Sequence, residues 1–163
     1  MIRRFSSALA AMSIAFTCMV ASSGPANAIS PGVWGPVFNG FYTGDVICIT
    51  PLGNGTANGT VLTTWTCGNE DTSQAFLLRS DGRLVHSRSQ KCLTPQGGNS
   101  YDNGTVLTLW DCNSSNSQLW VSSNNKVWTQ WGGKCITPKG GSFSNGTWLT
   151  LWDCNGHPSQ YWN

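Results

Sequence analysis

Histidine, charge and long apolar runs are what this sequence has least of. Only two histidines stand in 163 residues, His86 and His157, and they fall at unrelated positions of the repeat described below. No His/Cys spacing suits a metal, and isolated acids such as Asp45, or Glu70 with Asp71, have no repeated partner. The groups needed for acid–base, nucleophilic or metal-assisted chemistry are missing, so we expect a protein that is no enzyme and carries no metal or other cofactor. Charge is sparse and nearly balanced, nine Lys/Arg against seven Asp/Glu. Without a basic cluster there is no electrostatic footprint for nucleic acid or an anionic membrane. The longest apolar run, Ala8 to Ala21, is shorter than the roughly 20 residues a membrane span needs. It follows Arg3 and Arg4 and precedes "ANA" at Ala26 to Ala28, the layout of a secretory signal peptide cleaved after Ala28. We therefore expect a leader over 1–28 and a secreted, extracellular, monomeric chain over 29–163. Helical periodicity is absent throughout.

What is abundant is Gly, Asn, Ser, Thr and Trp, the composition of short strands joined by tight turns. One decapeptide occurs three times: "NGTVLTTWTC" from Asn58, "NGTVLTLWDC" from Asn103 and "NGTWLTLWDC" from Asn145. Around it recur "CITP", "CLTP" and "CITP" at Cys48, Cys92 and Cys135, and "SQAF", "SQLW" and "SQYW" at Gln74, Gln118 and Gln160. Three copies with a period of 42 to 45 residues fill nearly the whole mature chain. They divide a single domain into lobes at about 33–80, 81–123 and 124–163. Four short strands per copy, "KVWTQW", "KCITP", "TWLTLWDC" and "SQYW" in the last, make an all-β domain.

The decapeptide reads as a strand entered through an Asn-Gly turn. Alternation puts Val106, Thr108, Trp110 and Cys112 on one face and Leu107 and Leu109 on the core face. Six mature cysteines in an exported chain read as disulfides. Threefold repetition leaves two sensible pairings, of which only bonding within each copy (Cys48 to Cys67, Cys92 to Cys112, Cys135 to Cys154) closes a hairpin. Each loop of about 20 residues adds on the order of 3 kcal/mol of stability. Counting from the Cys92–Cys112 bridge sets Thr94 opposite Trp110 and gathers Thr94, Thr108 and Trp110 into a small site.

A Cys-headed strand, "LWDC" and a following Gln-x-aromatic, three times over, resemble the ricin-type β-trefoil lectins, which include carbohydrate-binding module family 13. The likeness covers about residues 33–163. It implies a pseudo-threefold β-trefoil with up to three shallow sugar sites, one per lobe, and a glycan or polysaccharide as partner. It makes Trp65, Trp110 and Trp152 the stacking platforms. A half-exposed indole suits the apolar face of a pyranose while neighbouring polar groups meet its hydroxyls. Gln74, Gln118 and Gln160 lie at the sites but act chiefly as fold markers, with Phe76, Trp120 and Trp162 in the core.

The chain departs from the family's usual ligands. Thr50, Thr94 and Thr137 replace Asp, Thr63, Thr108 and Thr150 replace a polar residue such as Gln, and Ser73, Ser117 and Ser159 replace Asn. A charge-assisted hydrogen bond contributes about 1.5–3 kcal/mol and a neutral one about 0.5–1.5 kcal/mol. Affinity per site for a galactose-like ligand should therefore fall at least about tenfold. The second and third lobes carry an additional loop aromatic, Tyr101 or Phe143, and Asp111 or Asp153, which we read as orienting turns. Asn54, Asn58, Asn103, Asn113 and Asn145 head N-x-Ser/Thr sequons. The rival reading is a trefoil that has lost its sugar and binds a protein partner, as an inhibitor or toxin component, through Trp131, Tyr42 and the "ISPGVWGPVF" lead-in.

Overall fold

The structure, a computed structural model, describes residues 29–39, 44–68 and 71–163; the leader expected over 1–28 lies outside the described residues, as do Tyr42 and Glu70. The lead-in supplies two short strands, β1 (Gly35–Pro36) and β2 (Phe38–Asn39). The first copy contributes β3 (Ile47–Pro51), β4 (Leu62–Thr66) and β5 (Ala75–Leu78). The second gives β6 (Leu84–His86), β7 (Cys92–Pro95), β8 (Leu107–Trp110) and β9 (Trp120–Ser123). The third gives β10 (Lys126–Thr129), β11 (Lys134–Pro138) and β12 (Leu149–Asp153). All pairings are antiparallel, in sheets ordered β1-β5-β6-β7-β8, β12-β11-β10-β9 and β2-β3-β4. Among the described residues no helix is long and apolar enough to cross a membrane.

Two expectations need correction. "SQYW" does not form a fourth strand in the third copy: Pro158–Gln160 is a 3-10 turn, matching the turns Thr72–Gln74 and Asn116–Gln118 that precede β5 and β9. The last residues still pair, Trp162 N to Asn125 O (2.8 Å), while Asn163 and Phe38 exchange amide bonds of 2.8 and 3.0 Å. The end of the chain thus closes against the lead-in as β5 closes on β6 and β9 on β10.

The hairpin register is also shifted by two. Cys92 faces Trp110 and Thr94 faces Thr108, with the same offsets in the first and third copies. The disulfides do pair within copies, Cys48–Cys67, Cys92–Cys112 and Cys135–Cys154, but the second cysteine lies beyond the ladder rather than across it. The glutamine explains why. Gln118 Nε2 donates to Asp111 O (2.9 Å) and its Oε1 accepts from Asn113 N (2.8 Å), gripping the chain on both sides of Cys112. Gln74 brackets Cys67 and Gln160 brackets Cys154 in the same way. A two-residue shift leaves side-chain parity intact, so the faces stand as expected. Leu107 and Leu109 are fully buried with Ile49, Leu93, Ile136 and Leu151, and Phe76, Trp120 and Trp162 join them. The Trp120 and Trp162 indoles donate to Leu93 O and Ile136 O, both at 3.0 Å, so neither N–H is lost by burial.

The Asn-Gly turns join the copies. Asn58 bonds Asp111 in both directions, Nδ2 to Oδ2 at 2.7 Å and Oδ1 from the Asp111 amide at 2.9 Å. Asn103 Nδ2 donates to Asp153 Oδ2 (2.7 Å). Asn145 Oδ1 accepts from Thr66 N (2.8 Å) and closes the cycle back to the first copy. Asp111 and Asp153 also pair with Lys91 and Lys134. These lysine and asparagine contacts hold both carboxyls below their usual range. The aspartates therefore link copies rather than orient their own turns. In the first copy the Lys/Asp pair gives way to Ile47 facing Thr66. Each turn needs a positive φ at its glycine, +85° at Gly59, +89° at Gly104 and +84° at Gly146.

Candidate functional site

A cleft beside the cysteine hairpin recurs in each lobe, of about 310 Å³ in the first, 360 Å³ in the second and 380 Å³ in the third. The second brings together Thr94, Thr108, Trp110 and Ser117. The third brings together Thr137, Thr150, Trp152, Ser159 and Gln160. The first brings together Thr50, Thr63, Trp65 and Gln74; Ser73 is fully buried and is not among its lining residues. The pair of threonines and the tryptophan thus recur in all three clefts, whereas Ser73 and Gln118 are not among the residues lining theirs. Tyr101 lines none of the three: it packs against the core and lies over Gly132, where a Cβ would come within 2.5 Å of its ring.

The stacking candidates are nearly identical in exposure, Trp65 at 47 %, Trp110 at 46 % and Trp152 at 44 %. A turn glycine of another copy lies beside two of them: a Cβ on Gly59 would lie 3.7 Å from the Trp110 ring, and one on Gly146 would lie 3.9 Å from Trp65. Gly104 and Trp152 share the third cleft. The contacts that join the copies therefore also position the indoles.

Beneath the indoles the threonines are buried and their protons are committed. Thr63, Thr108 and Thr150 donate to the carbonyls of Thr50, Thr94 and Thr137 at 3.0–3.1 Å. Thr50, Thr94 and Thr137 donate to the carbonyl of the cysteine two residues back. Each of these also accepts from a glutamine Nε2 at 2.9–3.1 Å. A hydroxyl has one proton and two lone pairs. What each floor has left for a ligand is hydroxyl lone pairs, so it can accept from sugar hydroxyls and has no threonine proton to give. The glutamines have both Nε2 protons occupied. No charge lies on these floors; charge is found only at the rim, where Asp71 caps the first lobe's 3-10 turn by accepting from Ser73 N at 2.8 Å. Hydrogen bonds from Ser73 hold that carboxyl below its usual range.

Among the described residues no group of three or more His, Cys, Asp or Glu is placed to hold a metal ion. His86 serves the fold. It is buried, with Nε2 2.9 Å from Ser73 O and Nδ1 2.9 Å from Ser89 Oγ. The sequence singled out the threonines and tryptophans but not the rim residues, such as Asp71, Ser115 and His157, that cap the 3-10 turns. The signal was available, since these occupy one position in the three copies.

A family model described as the ricin-type β-trefoil lectin domain matches residues 37–162. Among solved structures the fold is similar to the designed threefold-symmetric protein ThreeFoil, with a TM-score of 0.70, 17 % identity and 80 % of this chain aligned to 96 % of that one. It is similar to the C-terminal half of an earthworm R-type lectin in complex with GalNAc, with a TM-score of 0.65, 13 % identity and 80 % aligned to 95 %. It is also similar to part of an exo-β-1,3-galactanase from Clostridium thermocellum, with a TM-score of 0.70, 22 % identity and 83 % aligned to 30 %. A search of curated proteins by sequence found no match. At these identities the structural likenesses establish a β-trefoil.

Proposed function

We propose, for a chain that belongs to the ricin-type β-trefoil lectin family, a secreted carbohydrate-binding protein with up to three weak sites, one per lobe. The observation that carries this reading is the threefold recurrence of one constellation: a half-exposed indole over two buried threonines in a cleft of 310 to 380 Å³. A structural role alone would not require equal exposure of three large aromatics on the noncore face. The sugar stacks on Trp65, Trp110 or Trp152 and donates hydroxyl protons to the threonine lone pairs. Neutral acceptors hold it less tightly than a carboxylate would, so three sites on one rigid body supply strength through avidity. The three disulfides favour an oxidising compartment. The role is binding without catalysis, in a monomer.

A glycan-array screen followed by titration tests this. We expect millimolar-range binding that Trp110→Ala and Trp152→Ala each weaken, without loss of the folded near-UV spectrum. If the intact protein binds no glycan into the millimolar range, the protein-interaction reading takes its place. That reading is favoured by Trp131 and Trp34, 64 % and 45 % exposed and lining none of the three clefts.

A further inference from the structure

The three clefts serve as controls for one another, because their floors repeat while two rim positions do not. The first rim residue follows the proline that ends the cysteine strand. Its amide donates to the facing strand in every copy: Leu52 to Val61 O (2.8 Å), Gln96 to Val106 O (2.8 Å) and Lys139 to Trp148 O (2.9 Å). The second caps the 3-10 turn: Asp71, Ser115 and His157. Charge at the rim therefore runs from a carboxylate in the first cleft, through neutral groups in the second, to an ammonium and an imidazole in the third.

The third cleft is also longer in aromatic surface. Trp148, where the other copies have valine, lines it together with Trp152. Both are 44 % exposed, and with Thr150 between them on the same strand face they stand about 13 Å apart along the strand. Lys139 Nζ lies 6.0 Å from the Trp148 ring centroid, a cation–π distance. No Asp or Glu lines this cleft. Among the described residues Lys91 and Lys134 have aspartate partners, whereas no carboxylate lies within ion-pair distance of Lys139. His157 Nδ1 accepts from Ser159 N (3.2 Å), which leaves the ring proton on Nε2 as a donor.

We infer that the third cleft is an extended site for an anionic oligosaccharide, in which Trp148 and Trp152 stack two non-adjacent rings of one chain while Lys139 and His157 receive a carboxylate or sulfate. This rests on reading the clefts as sugar sites and assigns one of them a ligand class. The first cleft disfavours the same ligand, because Asp71 repels it. The electrostatic gain at an open rim is modest and falls with added salt.

Titration calorimetry with three oligosaccharide series of equal length, galacturonate, galactose and sulfated galactose, tests the assignment. The wild type should bind one or both anionic series about three- to tenfold more tightly than the neutral series, and the tighter of the two identifies the anion. Raised salt should shrink that ratio. The double variant Lys139→Gln with His157→Ser introduces the residues the second copy already uses, and should bring the ratio to about one. Trp148→Val, again the second copy's residue, should weaken longer oligosaccharides more than monosaccharides. Neutral binding without an anionic preference, or a preference that survives the double variant, overturns the inference and leaves the sugar reading standing. Binding to none of the three series counts against both.

Discussion

His86 shows how a single side chain ties the fold to pH. Its Nε2–H donates to Ser73 O and its Nδ1 lies 2.9 Å from Ser89 Oγ, so both nitrogens of the neutral ring are bonded while burial penalises the charged ring. Burial pushes its pKa below the ordinary 6.5. The unfolded chain therefore takes up a proton that the native ring refuses, and stability present above about pH 6.5 declines as pH falls toward the lower native value. Urea midpoints measured from pH 7.5 to 5 should drop in the wild type, and His86→Gln should flatten that slope. The aspartates held low by Lys91, Lys134 and Ser73 act in the opposite corner, losing their contribution only below about pH 4. Residue roles were legible in the sequence where they follow from parity: the core leucines and the half-exposed tryptophans needed only alternation. The protons of Thr63, Thr108 and Thr150 were not, because each is spent on a carbonyl across the hairpin whose position depends on the strand register.

At the scale of elements, the Asn-Gly turns hold one copy to the next. Asn58, Asn103 and Asn145 each reach the segment before the second cysteine of another copy. Asn103→Ala removes the bond to Asp153 and the acceptor for Lys134, 3.1 Å away. We expect a loss of about 1 kcal/mol, read as a lowered melting temperature. The sequence supplied the turn and the pairing of the cysteines, yet a hairpin counted from its disulfide came out two residues off. Local spacing cannot reveal that a glutamine a few residues further on grips the chain on either side of Cys112. Contacts between residues 50 to 79 positions apart are equally invisible to a reading of one copy at a time. The same three asparagines head sequons, and an attached glycan there would compete with these bonds. Aligning the copies against one another exposes what distinguishes them, as Leu52, Gln96 and Lys139 do.

At the scale of the molecule, three clefts of similar shape on one rigid body make valency the main determinant of strength. A polysaccharide that spans two clefts should bind on the order of a hundredfold or more tighter than its monosaccharide. Single replacements Trp65→Ala, Trp110→Ala and Trp152→Ala should lower affinity for the polymer far more than for the monosaccharide. Surface plasmon resonance on immobilised polymer, against solution titration of the free sugar, measures that difference.

The pairing of Asn163 with Phe38 makes the two ends of the trefoil neighbours, joined by hydrogen bonds where the other lobe boundaries are joined by peptide. The cycle of copies then has no structurally privileged first member. A circular permutant that links Asn163 to the lead-in and opens the chain at the exposed turn near Ser80 keeps every disulfide, every asparagine contact and all three clefts. Copy order in this protein is a property of the chain's connectivity, and the clefts are indifferent to it.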